Sequence, residues 1–299
     1  MHRIVAPALA IASVASVVAV IAGNAAGSTA SGEAASGEAA ITTVKFTAEE
    51  RRETLGYWTA DRMRKVAAGV DLGHDAASVK PWNGPAMKTV GRLFFTNEQG
   101  QDSYCTATAV RSRSHSAVMT AGHCVQLPAS PGNHYSNMVF VPGYGEGKSP
   151  YGVFAVRASV MPRSWERDAK NDVAVVVVDE RKGRSLTDTV GGQAVAVDRK
   201  PGGKVTVFGY PDSQEQRGER LMYCAGTTSA APQDKQSVRC PMEGGSSGGP
   251  WLADFDEKSG RGKLVSVNSF GDTAEGGSAM EGEVLGATAG ELLKRAQEL

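Results

Sequence analysis

The residues with the most chemical potential in this chain of 299 are Gly244-Gly245-Ser246-Ser247-Gly248-Gly249-Pro250. A serine bracketed by glycines suits a tight turn that presents its hydroxyl. With no side chain intervening, the backbone N–H groups of such a turn can point at a developing oxyanion. A serine hydroxyl becomes a nucleophile only beside a base. Thr120-Ala121-Gly122-His123-Cys124 offers one, because this segment directly follows the apolar run Ala117–Met119 and so places His123 at a strand end. The base in turn needs an acid to hold its tautomer and stabilise the imidazolium. Asp172 opens the apolar run Val173–Val178, so its carboxylate is held at the edge of a core. Asp168 and Asp179 are the rival acids. His115 and His134, in polar and turn-rich stretches, are the weaker bases.

Two other readings of the glycine-rich serine compete. One is a flexible Gly/Ser linker. The other is the Gly-x-Ser-x-Gly elbow of α/β-hydrolases, where the catalytic His follows the Ser. The five histidines stand at 2, 74, 115, 123 and 134, all ahead of Ser247. Chain order therefore excludes the elbow and leaves His, acid, Ser.

The elements that must position these groups are short strands. β-Branched or aromatic runs recur at Val90–Thr96, Thr106–Val110, Met138–Val141, Val153–Val160, Val173–Val178, Val195–Val197, Val205–Phe208, Leu221–Cys224 and Leu264–Phe270. Gly, Pro, Asn and Asp separate them, which predicts an all-β sandwich or barrel. One helix is expected near the C-terminus, about 287–297. Another is expected over 47–68, where Thr47 and Glu50 match a capping box and Gly69 offers a stop.

The N-terminus reads as a secretory signal over residues 1–26, with the apolar run Ile4–Ala22 and small residues around Ala25. Residues 27–88 follow as a linker, with the repeat ASGEA at 30–34 and 35–39, and a helical pro-segment or N-terminal extension. The main domain is expected over 89–299. Secretion implies that the four cysteines form disulfides. Three pairings are possible, and the nearest-neighbour choice is Cys105 with Cys124 and Cys224 with Cys240. Lys+Arg and Asp+Glu are both 32, and no basic run exists, so a nucleic-acid partner is not indicated. No Cys-x-x-Cys or close Cys/His quartet suggests zinc. No metal or organic cofactor is expected, and no stable membrane association once the signal is removed.

Taken together, the His, Asp and Ser segments resemble those of trypsin-like, chymotrypsin-fold serine peptidases. The likeness covers roughly residues 90 to 290. The spacings, 49 residues from His123 to Asp172 and 75 on to Ser247, are normal for that family. The resemblance implies two six-stranded antiparallel β-barrels with the triad in the cleft between them, acting on protein or peptide substrates. It implies a Cys105–Cys124 bridge on the His loop, and oxyanion donors at the Gly245 and Ser247 N–H groups. Ser266–Gly271 resembles the substrate-pairing strand, which makes Asn268, Ser269, Phe270 and Gly271 candidate substrate contacts, with Pro241 near the base of the pocket. Two departures stand out. Pro241 occupies the place of trypsin's acidic pocket base, so a trypsin-type ion pair with the substrate is not implied. Ser246 precedes the nucleophile where trypsin carries Asp, so trypsin-type activation by a new N-terminus is not implied either. Ser at that place is similar to the bacterial glutamyl-endopeptidase-like branch, although that branch carries His where Asn268 stands. A catalytically silent homologue that binds a partner, and a secreted esterase, are the competing functions.

Overall fold

The computed structural model describes residues 40–66, 79–212, 217–233, 235–242, 244–269 and 279–299. The expected signal segment, the ASGEA repeat, and the candidate contacts Phe270 and Gly271 lie outside the described residues, as does Gly69.

Strand β1 (Ile41–Lys45) is followed by helices α1 (Ala48–Tyr57) and α2 (Ala60–Lys65), then by the short strand β2 (Lys80–Pro81). Next come β3 (Val90–Thr96), β4 (Asp102–Ala109), β5 (Ala117–Thr120), β6 (Ser136–Pro142) and β7 (Phe154–Pro162). Helix α3 (Arg163–Asp168) leads to β8 (Ala174–Val178), and α4 (Leu186–Val190) to β9 (Ala194–Val195). The remaining strands are β10 (Lys204–Gly209), β11 (Met222–Thr227), β12 (Ser229–Ala230), β13 (Lys235–Val238), β14 (Pro250–Asp256), β15 (Arg261–Asn268) and β16 (Met280–Val284). Helix α5 (Ala287–Ala296) ends the fold.

Six strands in the order β7-β6-β3-β4-β5-β8 close into an antiparallel barrel through a β7–β8 ladder, and β1 adds to β7 from outside. The run at 173–178 shows why these strands lack polar alternation. Ala174, Val176 and Val178 pack among the first barrel's own residues. Val173, Val175 and Val177 share a core with Phe208, Tyr210 and Leu252 of the second sheet and Leu292 of α5. A strand buried on both faces reads as a continuous apolar run.

The second sheet also has six principal antiparallel strands, in the order β13-β16-β15-β14-β10-β11. It curls into a half-barrel. No ladder among the described residues joins its two ends; the Cys224–Cys240 disulfide ties β11 to the residues after β13 instead. Loop closure over about 15 residues contributes roughly 3 kcal/mol. The expected fold is thus present, with a covalent staple in place of the last ladder of the second barrel.

The helix expected over 47–68 is two helices. The capping box at Thr47 and Glu50 forms as anticipated. Thr59 then caps a second helix by accepting from the Arg62 N–H, and the chain bends at Trp58. The reason is tertiary. The Trp58 indole N–H donates to the Asn137 carbonyl, and its ring packs 5.2 Å from Phe94. Trp58, Met63 and Val66 all enter the shared core. Arg51 pairs with Asp179 at 2.7 Å, and Arg62 with Asp102 at 2.6 Å. Helices α3 and α4 were not legible in the sequence; each is a single short turn-and-a-half seated by a buried residue, Trp165 and Leu186 respectively. Among the described residues, no helix is long and apolar enough to cross a membrane.

Residues 41–66 therefore pack against the strands. Trp58→Ala is expected to lower stability by about 3–5 kcal/mol, the usual cost of emptying a large buried aromatic site. Thermal or denaturant unfolding measures it, and a change within 0.5 kcal/mol, of surface-substitution size, would contradict it.

Candidate active site

Each member of the His-Asp-Ser set is fixed by its own segment. His123 lies in a single 3-10 turn, Gly122–Cys124, directly after β5. The Cys105–Cys124 disulfide, with Cα atoms 6.0 Å apart, holds that turn against β4. Cys105, His123 and Cys124 place ligand-type atoms within 4.8 Å of one another. With the sulfurs joined, that cluster is a clamp on the His loop and offers a metal only one imidazole.

Asp172 follows the left-handed residues Ala169 and Asn171 at the end of α3. Asn171 anchors the turn by donating from its side-chain amide to Ser164 at 2.8 Å. The Asp172 side chain is 3% exposed. Three donors meet its carboxylate: the His123 main-chain N–H at 2.9 Å, His123 Nδ1 at 2.8 Å and the Ser269 hydroxyl at 2.6 Å. Burial by itself raises this carboxyl's pKa. The charge and hydrogen bonds of His123, with the Ser269 hydroxyl, outweigh burial and hold it below the ordinary carboxylate value. An ionised carboxylate can only accept, so His123 Nδ1 carries the proton and Nε2 is left as the basic nitrogen.

Ser247 sits on a turn shaped by two glycines with positive φ, Gly245 at +84° and Gly248 at +75°. A Cβ on Gly248 would lie 2.1 Å from the Thr120 hydroxyl and 2.8 Å from the Ala121 nitrogen. The serine turn is thereby pressed against the residues just ahead of His123. Thr106 holds it from the first barrel: its N–H donates to the Ser247 carbonyl at 2.9 Å and its hydroxyl to the Gly245 carbonyl at 2.8 Å. Asn268 holds it from the second sheet, donating from its amide to the Ser246 carbonyl at 2.7 Å. The Ser246 hydroxyl bonds the Met242 carbonyl at 2.9 Å. Among the described residues, neither the Gly245 nor the Ser247 N–H is engaged by a main-chain carbonyl.

The other sequence candidates lie elsewhere or do other work. Asp179 pairs with Arg51, and His115 with Asp188 at 2.9 Å on the exposed side of α4. His134 is half-buried, and burial lowers its pKa. Asp168 is exposed on α3. Of the residues placed on the substrate strand, Asn268 is 1% exposed, with its amide also accepting from the Trp251 indole, and Ser269 bonds Asp172. Pro241 is buried beside the Cys240 bridge. Thr106 was missed, and nothing local to it signals its role, since its partners lie 139 to 141 residues away.

Comparison with known proteins identifies the family and the fold. Residues 105–260 match the family model described as a trypsin-like peptidase domain. The chain is similar to a crystal structure of the protease Anisep from Arthrobacter nicotinovorans, at 32% identity and TM-score 0.66, covering 74% of this chain and all of that one. It is likewise similar to the thermostable serine protease AL20 from an extremophilic microorganism, at 32% identity and TM-score 0.65, covering 72% of this chain and 99% of that one. A Glu endopeptidase structure shares the fold at 19% identity and TM-score 0.61, covering 77% of this chain and all of that one. No curated protein shows a significant sequence match. The chain belongs to the trypsin-like serine peptidases, with the chymotrypsin-like fold.

The Asp172 environment sets a pH dependence. Its pKa is lowered on folding, so its contribution to stability is fully present above the ordinary aspartate value of about 4 and is lost as pH falls through the lowered folded value. Ser269→Ala removes a bond to the charged form and raises that folded value. Acid unfolding of Ser269→Ala, followed by circular dichroism, is expected to begin at higher pH than in the parent. An unshifted acid limb would contradict this account.

Proposed function

We propose that this chain is a secreted endopeptidase that hydrolyses peptide bonds through an acyl-enzyme on Ser247. The observation that carries the reading is the buried Asp172 carboxylate, bonded to both the main-chain N–H and Nδ1 of His123. That arrangement leaves Nε2 as the base for the Ser247 proton. As Ser247 Oγ attacks the scissile carbonyl, His123 takes its proton, and Asp172 stabilises the resulting imidazolium. The tetrahedral oxyanion is met by the Gly245 and Ser247 N–H groups; loss of one such donor costs about 10²–10³ in rate. His123 then protonates the leaving amine, and water repeats the sequence to release the acid. No step needs a metal or an organic cofactor.

Secretion is supported by the signal-like N-terminus and by two disulfides. Residues 41–66 are read as a retained brace, because β1 pairs with β7 and Trp58 is buried.

A fluorophosphonate probe should label the purified protein, and Ser247→Ala should abolish labelling. Asp172→Asn should lower kcat by about 10⁴, since the amide favours the wrong imidazole tautomer. Absence of labelling in the parent protein, or turnover of p-nitrophenyl esters with no cleavage of casein, would count against the endopeptidase reading. N-terminal sequencing of active protein from culture medium should give a start ahead of Ile41; a start between residues 80 and 90 would show that the extension is a removed pro-segment.

A further inference from the structure

Among the described residues, the most buried charge outside the His-Asp-Ser set is Arg92 on β3. It is fully buried. Its guanidinium lies 3.3 Å from the centre of the Tyr104 ring, 4.6 Å from that of Tyr144 and 4.7 Å from that of Phe94. Its Nη1 donates to the Glu219 carboxylate at 3.0 Å and reaches the Gly218 carbonyl at 3.5 Å. Its Nη2 donates to the Val66 carbonyl, just after α2, at 3.3 Å. Among the described residues, Arg92 Nε and Glu219 Oε2 are buried without partners.

Such a group is a poor choice for stability alone. Replacing a buried ion pair by apolar side chains of similar volume is often neutral or stabilising. What the guanidinium supplies is a rigid fork that joins three chain segments, together with a cation stacked on an aromatic face.

The face it stacks on leads to the oxyanion turn. The Tyr104 hydroxyl donates to the Tyr210 carbonyl at 3.0 Å. A Cβ on Gly245 would lie 2.4 Å from Tyr104 Cε2 and 2.5 Å from that same carbonyl. The Gly245 backbone therefore rests on Tyr104 and Tyr210 directly. The other end of the cluster is tied down as well, with Tyr144 donating to Glu219 at 2.7 Å and Tyr210 donating to the Tyr144 carbonyl at 2.9 Å.

We infer that Arg92 is a positioning residue for the oxyanion turn: it locks Tyr104 under Gly245 and couples that support to the end of the N-terminal extension at Val66. The inference rests on the hydrolase reading above and adds a residue that touches no substrate.

The test measures Arg92→Met, Arg92→Lys and Glu219→Gln in the full-length protein. The readouts are kcat and KM on a fluorogenic peptide that the parent cleaves, and the rate constant for fluorophosphonate inactivation, each normalised to titrated active sites. Arg92→Met should lower kcat at least tenfold with KM within twofold, and slow inactivation in parallel, while the melting temperature stays close to the parent's. Arg92→Lys, which can meet Glu219 but cannot span Val66 and Gly218 together, should recover part of the loss. Arg92→Met with kcat and inactivation within twofold of the parent overturns the inference whatever its melting temperature. If Arg92→Met does not fold, Glu219→Gln decides by the same two readouts. A parent protein that cleaves no peptide and takes no label overturns both the inference and the hydrolase reading; an active parent with unaffected variants overturns the inference alone.

Discussion

A carboxylate kept charged inside a protein core is the constraint on which this structure turns. Desolvating Asp172 disfavours its ionised form, and an uncompensated buried carboxylate would cost several kcal/mol. It stays ionised because three donors converge on it. They come from places far apart in sequence. Two belong to His123, at the end of a first-barrel strand, and the third to Ser269, just past β15 in the second sheet. The two sheets must dock correctly for the charge to be tolerated at all. The carboxylate thus joins the His123 turn to the end of β15 at one point.

The serine turn meets that point through a single dipeptide. Cys105 and Thr106 are neighbours on β4, and strand alternation sends them to opposite faces. Cys105 reaches the His loop through its disulfide, while Thr106 holds the carbonyls of Gly245 and Ser247. One residue pair therefore ties both the His123 turn and the Ser247 turn to the first barrel. Asn268 supplies the matching support from the second sheet, and Ser246 closes the turn locally onto Met242. This explains how the turn is held with a neutral serine ahead of Ser247.

What the sequence disclosed and what it hid divide along locality. The His123, Asp172 and Ser247 segments stand out in the sequence because each carries its own local chemistry: a histidine at a strand end, an acid opening an apolar run, a serine among glycines. The strands at 90–96, 173–178 and 204–209 were legible because they are apolar and flanked by turn residues. Strands β1, β2, β12, β13, β14 and β16 were not picked out. Two of them show why: β14 opens on a proline, and β16 alternates charge with glycine in Met-Glu-Gly-Glu-Val. Ser269 was read as a substrate contact, since only the docked sheets bring it to an aspartate 97 residues away. Thr106 could not be found at all, because its role consists wholly of bonds across more than a hundred residues.

The break in the N-terminal helix belongs to the same logic. A continuous helix over 47–68 would be a straight rod of about 33 Å, at 1.5 Å per residue. In that rod Trp58, Val66 and Met63 would spread over an arc of about 140° around the axis, at about 100° per residue. Bending at Trp58 and recapping at Thr59 lets all three residues enter the shared core. The same bend delivers the Val66 carbonyl to the buried Arg92 guanidinium. Capping propensity permits two helices here, but the core and its charge select them. The end of the second helix is thereby joined through Arg92 to the tyrosine beneath Gly245.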